Sequence, residues 1–113
     1  MIAMQEWYIY NADLGKREGH EQSYERPCIL IRALNEIDMS IVIPLTSTLD
    51  AIRFPFTTSI GRTDVDMLRN DSVALIFQIR AISNKRLNPK PIGKLPEEKI
   101  RKIKEIIKQT LNL

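Results

Sequence analysis

Residues 19–32 read GHEQSYERPCILIR, a polar loop that runs directly into a solid apolar segment. The junction is an arginine, Arg26, fixed in front of a proline, Pro27. Proline cannot donate to a ladder and biases the residue before it to extended backbone, so the junction reads as a pinned strand start. A guanidinium at that point would project from the sheet edge. The strand that follows, PCILIRAL at 27–34, is apolar on both faces, which predicts cover on each side by a helix or by a second subunit.

The same rhythm extends along the chain. WYIYNADL at 7–14, MSIVIPLTST at 39–48, FPFTTSI at 54–60 and DSVALIFQIRAI at 71–82 are rich in Ile, Val, Thr and aromatics, and Gly, Asn and Asp separate them. Five short strands spaced this closely predict a β-rich fold, a small curved barrel or a sandwich. The tail LPEEKIRKIKEIIKQTLNL predicts one amphipathic helix. It opens with Pro96 at the first helical position and with Glu97 and Glu98 in the first turn, both favourable at a helix N-terminus. Ile100, Ile103, Ile107 and Leu111 then recur at helical spacing as the core-facing stripe. A short helical turn is expected over 83–87, with Ser83 as its N-cap.

A chain of 113 residues with 43% hydrophobic residues suits a single domain over 1–113 with one modest core. No apolar run approaches the roughly 20 residues that cross a bilayer, and MIAMQEW lacks the basic-then-apolar pattern of a secretory leader. The expectation is a cytoplasmic protein without a membrane partner. Cys28, the sole cysteine, has no partner for an internal disulfide and sits among apolar neighbours, where it reads as a small buried hydrophobe. The net charge of +3 is unevenly spread: residues 1–83 carry 8 Lys and Arg against 11 Asp and Glu, and residues 84–113 carry 9 against 3. That basic third is either a solvated helix face or a surface that steers a polyanion.

With one His and one Cys the chain has no zinc-type ligand spacing, no Cys-His pair and no pair of imidazoles. Its four glycines form no phosphate-binding fingerprint. The expectation is therefore no metal and no cofactor, with chemistry carried by Arg, Glu, Gln, Thr and backbone groups. Such an inventory suits phosphodiesters, because a guanidinium offers a rigid fork of donors to two phosphate oxygens and stabilises the charge that builds there.

Five blocks in order resemble the MazF/PemK (Kid) family of toxins from toxin-antitoxin modules: ADLGKREGHEQSYERPCILI, IVIPLTS, the PF at 55–56, NDSVALIFQIRAISNKRL, and IGKL with the closing helix. The resemblance implies a small SH3-like β-barrel with a C-terminal helix, usually a homodimer. It implies an endoribonuclease that cuts single-stranded RNA, often mRNA, at short sequences without a metal, through 2'-OH attack. It also implies a cognate antitoxin. The family's catalytic arginine and threonine match Arg26 and Thr46, and the carboxylate of its G-x-E-Q loop matches Glu21. A carboxylate with a reference pKa of about 4.3 can accept the 2'-OH proton if held close, so Glu21 is the expected base, with His20 as the substitute. Expected substrate contacts are His20, Gln22, Tyr24, Ser47, Gln78 and Arg80; the last two serve either base reading or a dimer interface.

The chain departs from the family pattern at three positions. Trp7 and Tyr8 stand where Gly-Asp or Gly-Glu usually precedes the first strand, and Tyr24 stands where glycine is common. A tyrosine resists the positive φ that glycine allows, so Tyr24 implies either a stiffer loop or a ring that stacks on a base. Glu25 beside Arg26 is positioned to hold it in an ion pair. The runner-up function is a non-catalytic, CcdB-like toxin of the same barrel type that binds DNA gyrase.

Overall fold

The computed structural model describes residues 4–16 and 23–113. Among them are strands β1 (Tyr8–Lys16), β2 (Ser23–Leu34), β3 (Met39–Thr46), β4 (Thr57–Ile60), β5 (Ser72–Leu75), β6 (Arg80–Ser83) and β7 (Gly93–Lys94), followed by helix α1 (Glu97–Leu111). Every pairing is antiparallel, in the order β4-β5-β3-β2-β1-β7, with β6 also on β3. The product is one curled, half-barrel sheet with a helix packed against it. No helix among the described residues is long and apolar enough to cross a membrane.

The run 71–82, expected as one strand, is two. A 3-10 turn at Ile76–Gln78 separates β5 from β6, and both halves lie along the same edge of β3. Thr46 faces Val73 before the turn and Val42 faces Arg80 after it, so the register slips by the length of that three-residue turn. The slip bends the sheet and drops Ile76 into the core beside α1. The segment 54–60 likewise becomes strand only at Thr57, after a 3-10 turn at Leu49–Arg53.

Two apolar layers form on the two faces of the sheet. On one, Ile9, Ile29, Ile43, Leu45 and Ile60 pack beneath Ile100, Ile103 and Ile106 of α1. Ile106 joins this stripe, whereas Leu111, expected in it, is 52% exposed in the last turn of the helix. Pro96 is the N-cap of α1, one step before its expected position. On the other face, Tyr10, Cys28, Leu30, Val42 and Ile82 are covered by Leu87 and the partly buried Met4, Tyr8 and Tyr24. The chain therefore covers both faces itself. Ser83 caps the 3-10 turn Asn84–Arg86 as expected, its side chain accepting from the Lys85 N–H.

Two local devices shape the end of the sheet. Gly93 lies so close to the 61–71 segment that a Cβ there would meet Val65 Cγ1 at 2.7 Å. The β1–β2 register breaks between Asp13 and Lys16, where Gly15 takes φ +99° and its N–H donates to Asp13 Oδ1 at 2.9 Å. That bulge sets two residues of β1, Leu14 and Gly15, against one of β2, Tyr24. Bulges of this kind re-aim the side chains around them.

Candidate active site

Arg26 is not at an exposed strand start. β2 begins at Ser23, Arg26 pairs with Ala12 of β1 inside the strand, and its side chain is half-buried. Pro27, paired with Asn11, lies within the strand too. Continuing the Cys28–Pro44 register outward brings Arg26 opposite Thr46, and Arg26 Nη1 donates to the Leu45 carbonyl at 3.3 Å. The two residues thus meet through strand pairing, which is the sole reason a side chain at 26 reaches the end of β3.

Two contacts and one unmatched donor define the guanidinium. Nη1 is tied to Leu45, the Cζ lies 4.1 Å from the centroid of the Tyr24 ring, and Nε is buried with no hydrogen-bond partner among the described residues. An orphaned donor of this kind costs about 1–3 kcal/mol. The Glu25 carboxylate does not pair with Arg26; it is exposed, and the ion pair among the described residues is Arg32–Glu6 at 3.8 Å. Thr46 Oγ1 accepts from the Thr48 N–H at 3.2 Å, which engages one lone pair and leaves its O–H proton to donate.

Arg26, Thr46 and Ser47 line a cleft of about 680 Å³. Its other walls come from residues that sequence reasoning missed: Asn11 of β1, Met67, Arg69 and Asn70 before β5, and Asn88 and Lys90 before β7. Asn88 Oδ1 accepts from the Lys90 N–H at 3.0 Å, which ties the two residues of this wall together. Lys90 belongs to the basic C-terminal third, so the charge asymmetry was the one signal in the sequence that pointed to this wall. Gln78 closes the 3-10 turn, Arg80 opens β6, both are exposed, and neither lines the cleft. Arg80 instead lies near Cys28: burial pushes that thiol up to about 12, against the pull of Arg26 and Arg80. Cys28 is a core residue and not a nucleophile at neutral pH. Glu21, His20 and Gln22 lie outside the described residues.

Tyr24 has an ordinary negative φ in β2, so the strain expected of a tyrosine at a glycine position does not arise. Trp7, just before β1, is one of four non-glycine residues among those described with positive φ, at 68°.

A curled antiparallel sheet of this order, with one C-terminal helix, is also the fold of several solved structures. A mycobacterial endoribonuclease in complex with its cognate antitoxin is 18% identical, with 98% of this chain and 97% of that chain covered at a TM-score of 0.74. The toxin MazF-mt6 of Mycobacterium tuberculosis is 20% identical over 94% and 97%, at 0.72. A structure of MazE-MazF from Deinococcus radiodurans gives 16% over 100% and 99%, at 0.79. Identities this low establish the shared fold alone. The family follows from the sequence itself: residues 5–111 match the model of the PemK-like, MazF-like toxins of type II toxin-antitoxin systems, and the chain belongs to that family.

Proposed function

We propose that this protein is a sequence-preferring endoribonuclease of single-stranded RNA, mRNA included, that works without a metal ion as the toxin of its module. The observation that carries this reading is the meeting of Arg26 and Thr46 at one cleft, with the arginine held there although its Nε–H has no partner among the described residues. Buried groups left unsatisfied call for an explanation, and a phosphate site supplies one.

In the proposed reaction the ribose 2'-oxygen attacks the adjacent phosphorus, and the P–O2' bond forms as the P–O5' bond breaks. The 2'-OH proton passes to a base, assigned to Glu21 with His20 as its substitute. The departing 5'-oxygen takes a proton from water, which leaves a cyclic phosphate and a 5'-OH. Arg26 binds the non-bridging oxygens through its fork, and the Thr46 O–H donates to the same phosphate. Ser47 and the amides of Asn11, Asn70 and Asn88 border the space a neighbouring base would occupy, and Lys90 and Arg69 supply positive charge for the backbone. Gln78 and Arg80 are assigned to longer RNA contacts or to a second copy. Cytoplasmic mRNA is the intended target.

Two partners complete the reading. A cognate antitoxin, of the kind that accompanies two of the similar structures, would lay an acidic segment on the basic C-terminal third. A second copy of the chain would cover Leu49, Ile52, Phe54, Phe56 and Phe77, which are exposed next to one another and run on from Thr48 at the cleft. Sedimentation at micromolar concentration is expected to give about twice the chain mass of 13.1 kDa.

The test is incubation of the purified protein with a long RNA in excess EDTA, with the new 5' ends mapped and the 3' ends analysed. Cleavage at a short recurrent sequence with cyclic phosphate ends is expected. Loss of cutting on chelation, restored by Mg²⁺ or Zn²⁺, counts against the mechanism. Intact RNA together with inhibited gyrase moves the protein-binding reading ahead.

A further inference from the structure

We infer that Tyr24 is a positioning residue that holds Arg26 over the cleft, and not a platform for a base. The inference rests on the nuclease reading for its catalytic consequence and on geometry for its contact.

An arginine whose Nε–H is buried without a partner among the described residues has a reason to leave, because swinging its guanidinium into water restores that hydrogen bond. Two contacts oppose this. One is the Nη1–Leu45 bond, long at 3.3 Å, and the other is the Tyr24 ring beneath the Cζ at 4.1 Å. A cation over an aromatic face is held by the ring quadrupole, more firmly the less water surrounds it. The ring contacts the guanidinium at its carbon and takes up none of its N–H groups, so the donors beyond the Nη1–H held by Leu45 are left to a phosphate. The ring face turned to Arg26 is also unavailable to a base.

The backbone explains why the ring is there. Leu14 and Gly15 bulge out of β1 opposite Tyr24, with Gly15 at a φ that few other residues adopt and Asp13 capping its N–H. Arg86 Nη1 donates to the Asp13 carbonyl at 3.4 Å and braces the same turn. Sequence thus leads through bulge to ring and through ring to guanidinium. Tyr24, a departure from the family's usual glycine, compensates for an arginine that is otherwise poorly held.

The experiment pairs two readouts on wild type, Tyr24→Phe, Tyr24→Trp and Tyr24→Leu. In ¹⁵N-labelled protein the Arg26 Nε–H, assigned by its absence in Arg26→Lys, is expected as a slowly exchanging, ring-shifted signal in wild type. The aromatic variants should keep it and Tyr24→Leu should lose it. In RNA cleavage, Tyr24→Leu should lower kcat about 10-fold with KM within about 2-fold, and the aromatic variants should restore kcat. A Tyr24→Leu protein that keeps the Nε–H signal overturns the inference, as does one that raises KM at unchanged kcat, the mark of a base platform. Failure of the nuclease reading looks different: wild type leaves RNA intact while the Nε–H signal still depends on an aromatic at 24.

Discussion

Compared with the helix-covered face of the sheet, where Ile29, Ile43 and Ile103 are wholly buried, the cleft at the end of β2 and β3 keeps a half-buried arginine with one donor unmatched among the described residues. The same two strands build both regions. On the helix side the buried cluster of Ile9, Ile29, Ile43, Leu45 and Ile103 is apolar and close-packed, and the contribution is stability. At the cleft, positions 26 and 46 carry a guanidinium and a hydroxyl aimed at space. On the proposed reading, stability is given up there to hold chemistry, a compromise common at active sites.

The contrast is tested most severely at Arg26. Arg26→Lys keeps the charge and loses the fork, and a lost transition-state contact of about 3–4 kcal/mol slows cleavage by ~10²- to 10³-fold. Arg26→Met should be at least as inactive yet melt at or above the wild-type temperature, because it removes the orphaned donor and keeps the stem. A clear fall in melting temperature for Arg26→Met would break the comparison. Thr46→Val comes next: loss of one hydrogen bond to a charged group, about 1.5–3 kcal/mol, should cut the rate about 10- to 100-fold with little change in stability. Cleavage kinetics and thermal denaturation on the same samples separate the two effects.

On the scaffold side the signs reverse. Gly93→Ala drives a Cβ against Val65 and should destabilise by about 1–3 kcal/mol, read from denaturant midpoints, while the rate per folded molecule stays at the wild-type value. The smallest expected effect is at Cys28. Its folded pKa, about 12, stands above the reference of 9.0, so the folded state favours the neutral thiol. That stabilisation is complete below pH 9 and is lost as pH rises from about 9 towards 12. Wild type should therefore lose stability more steeply than Cys28→Ala over that interval; equal slopes would show that the thiol is not held neutral by the core.

Much of this could be read along the chain. Runs of Ile, Val and Thr form strands because branched side chains suit a pleated, half-buried surface, and the stripe of Ile100 and Ile103 forms a helix face because its spacing matches the helical period. Cys28 as a core residue and Ser83 as a cap were equally local decisions. Arg26 and Thr46 stood out through the order of the blocks around them. What the chain did not reveal are quantities set by register and packing. The split of 71–82 depends on β3 pairing both halves, and the burial of Ile106 but not Leu111 depends on how the helix packs on the sheet. Arg26 became half-buried because it lies between paired strands, although the proline after it suggested an edge. Asn70, Asn88 and Lys90 are distant in sequence from Arg26 and join it at one cleft through strand order alone. Tyr24 is an intermediate case: its i, i+2 spacing from Arg26 puts both on one face of β2, but the contact of its ring with the guanidinium and the bulge opposite it are properties of the packed strands. Propensity and spacing act within a few residues, whereas the contacts that make a site act across them.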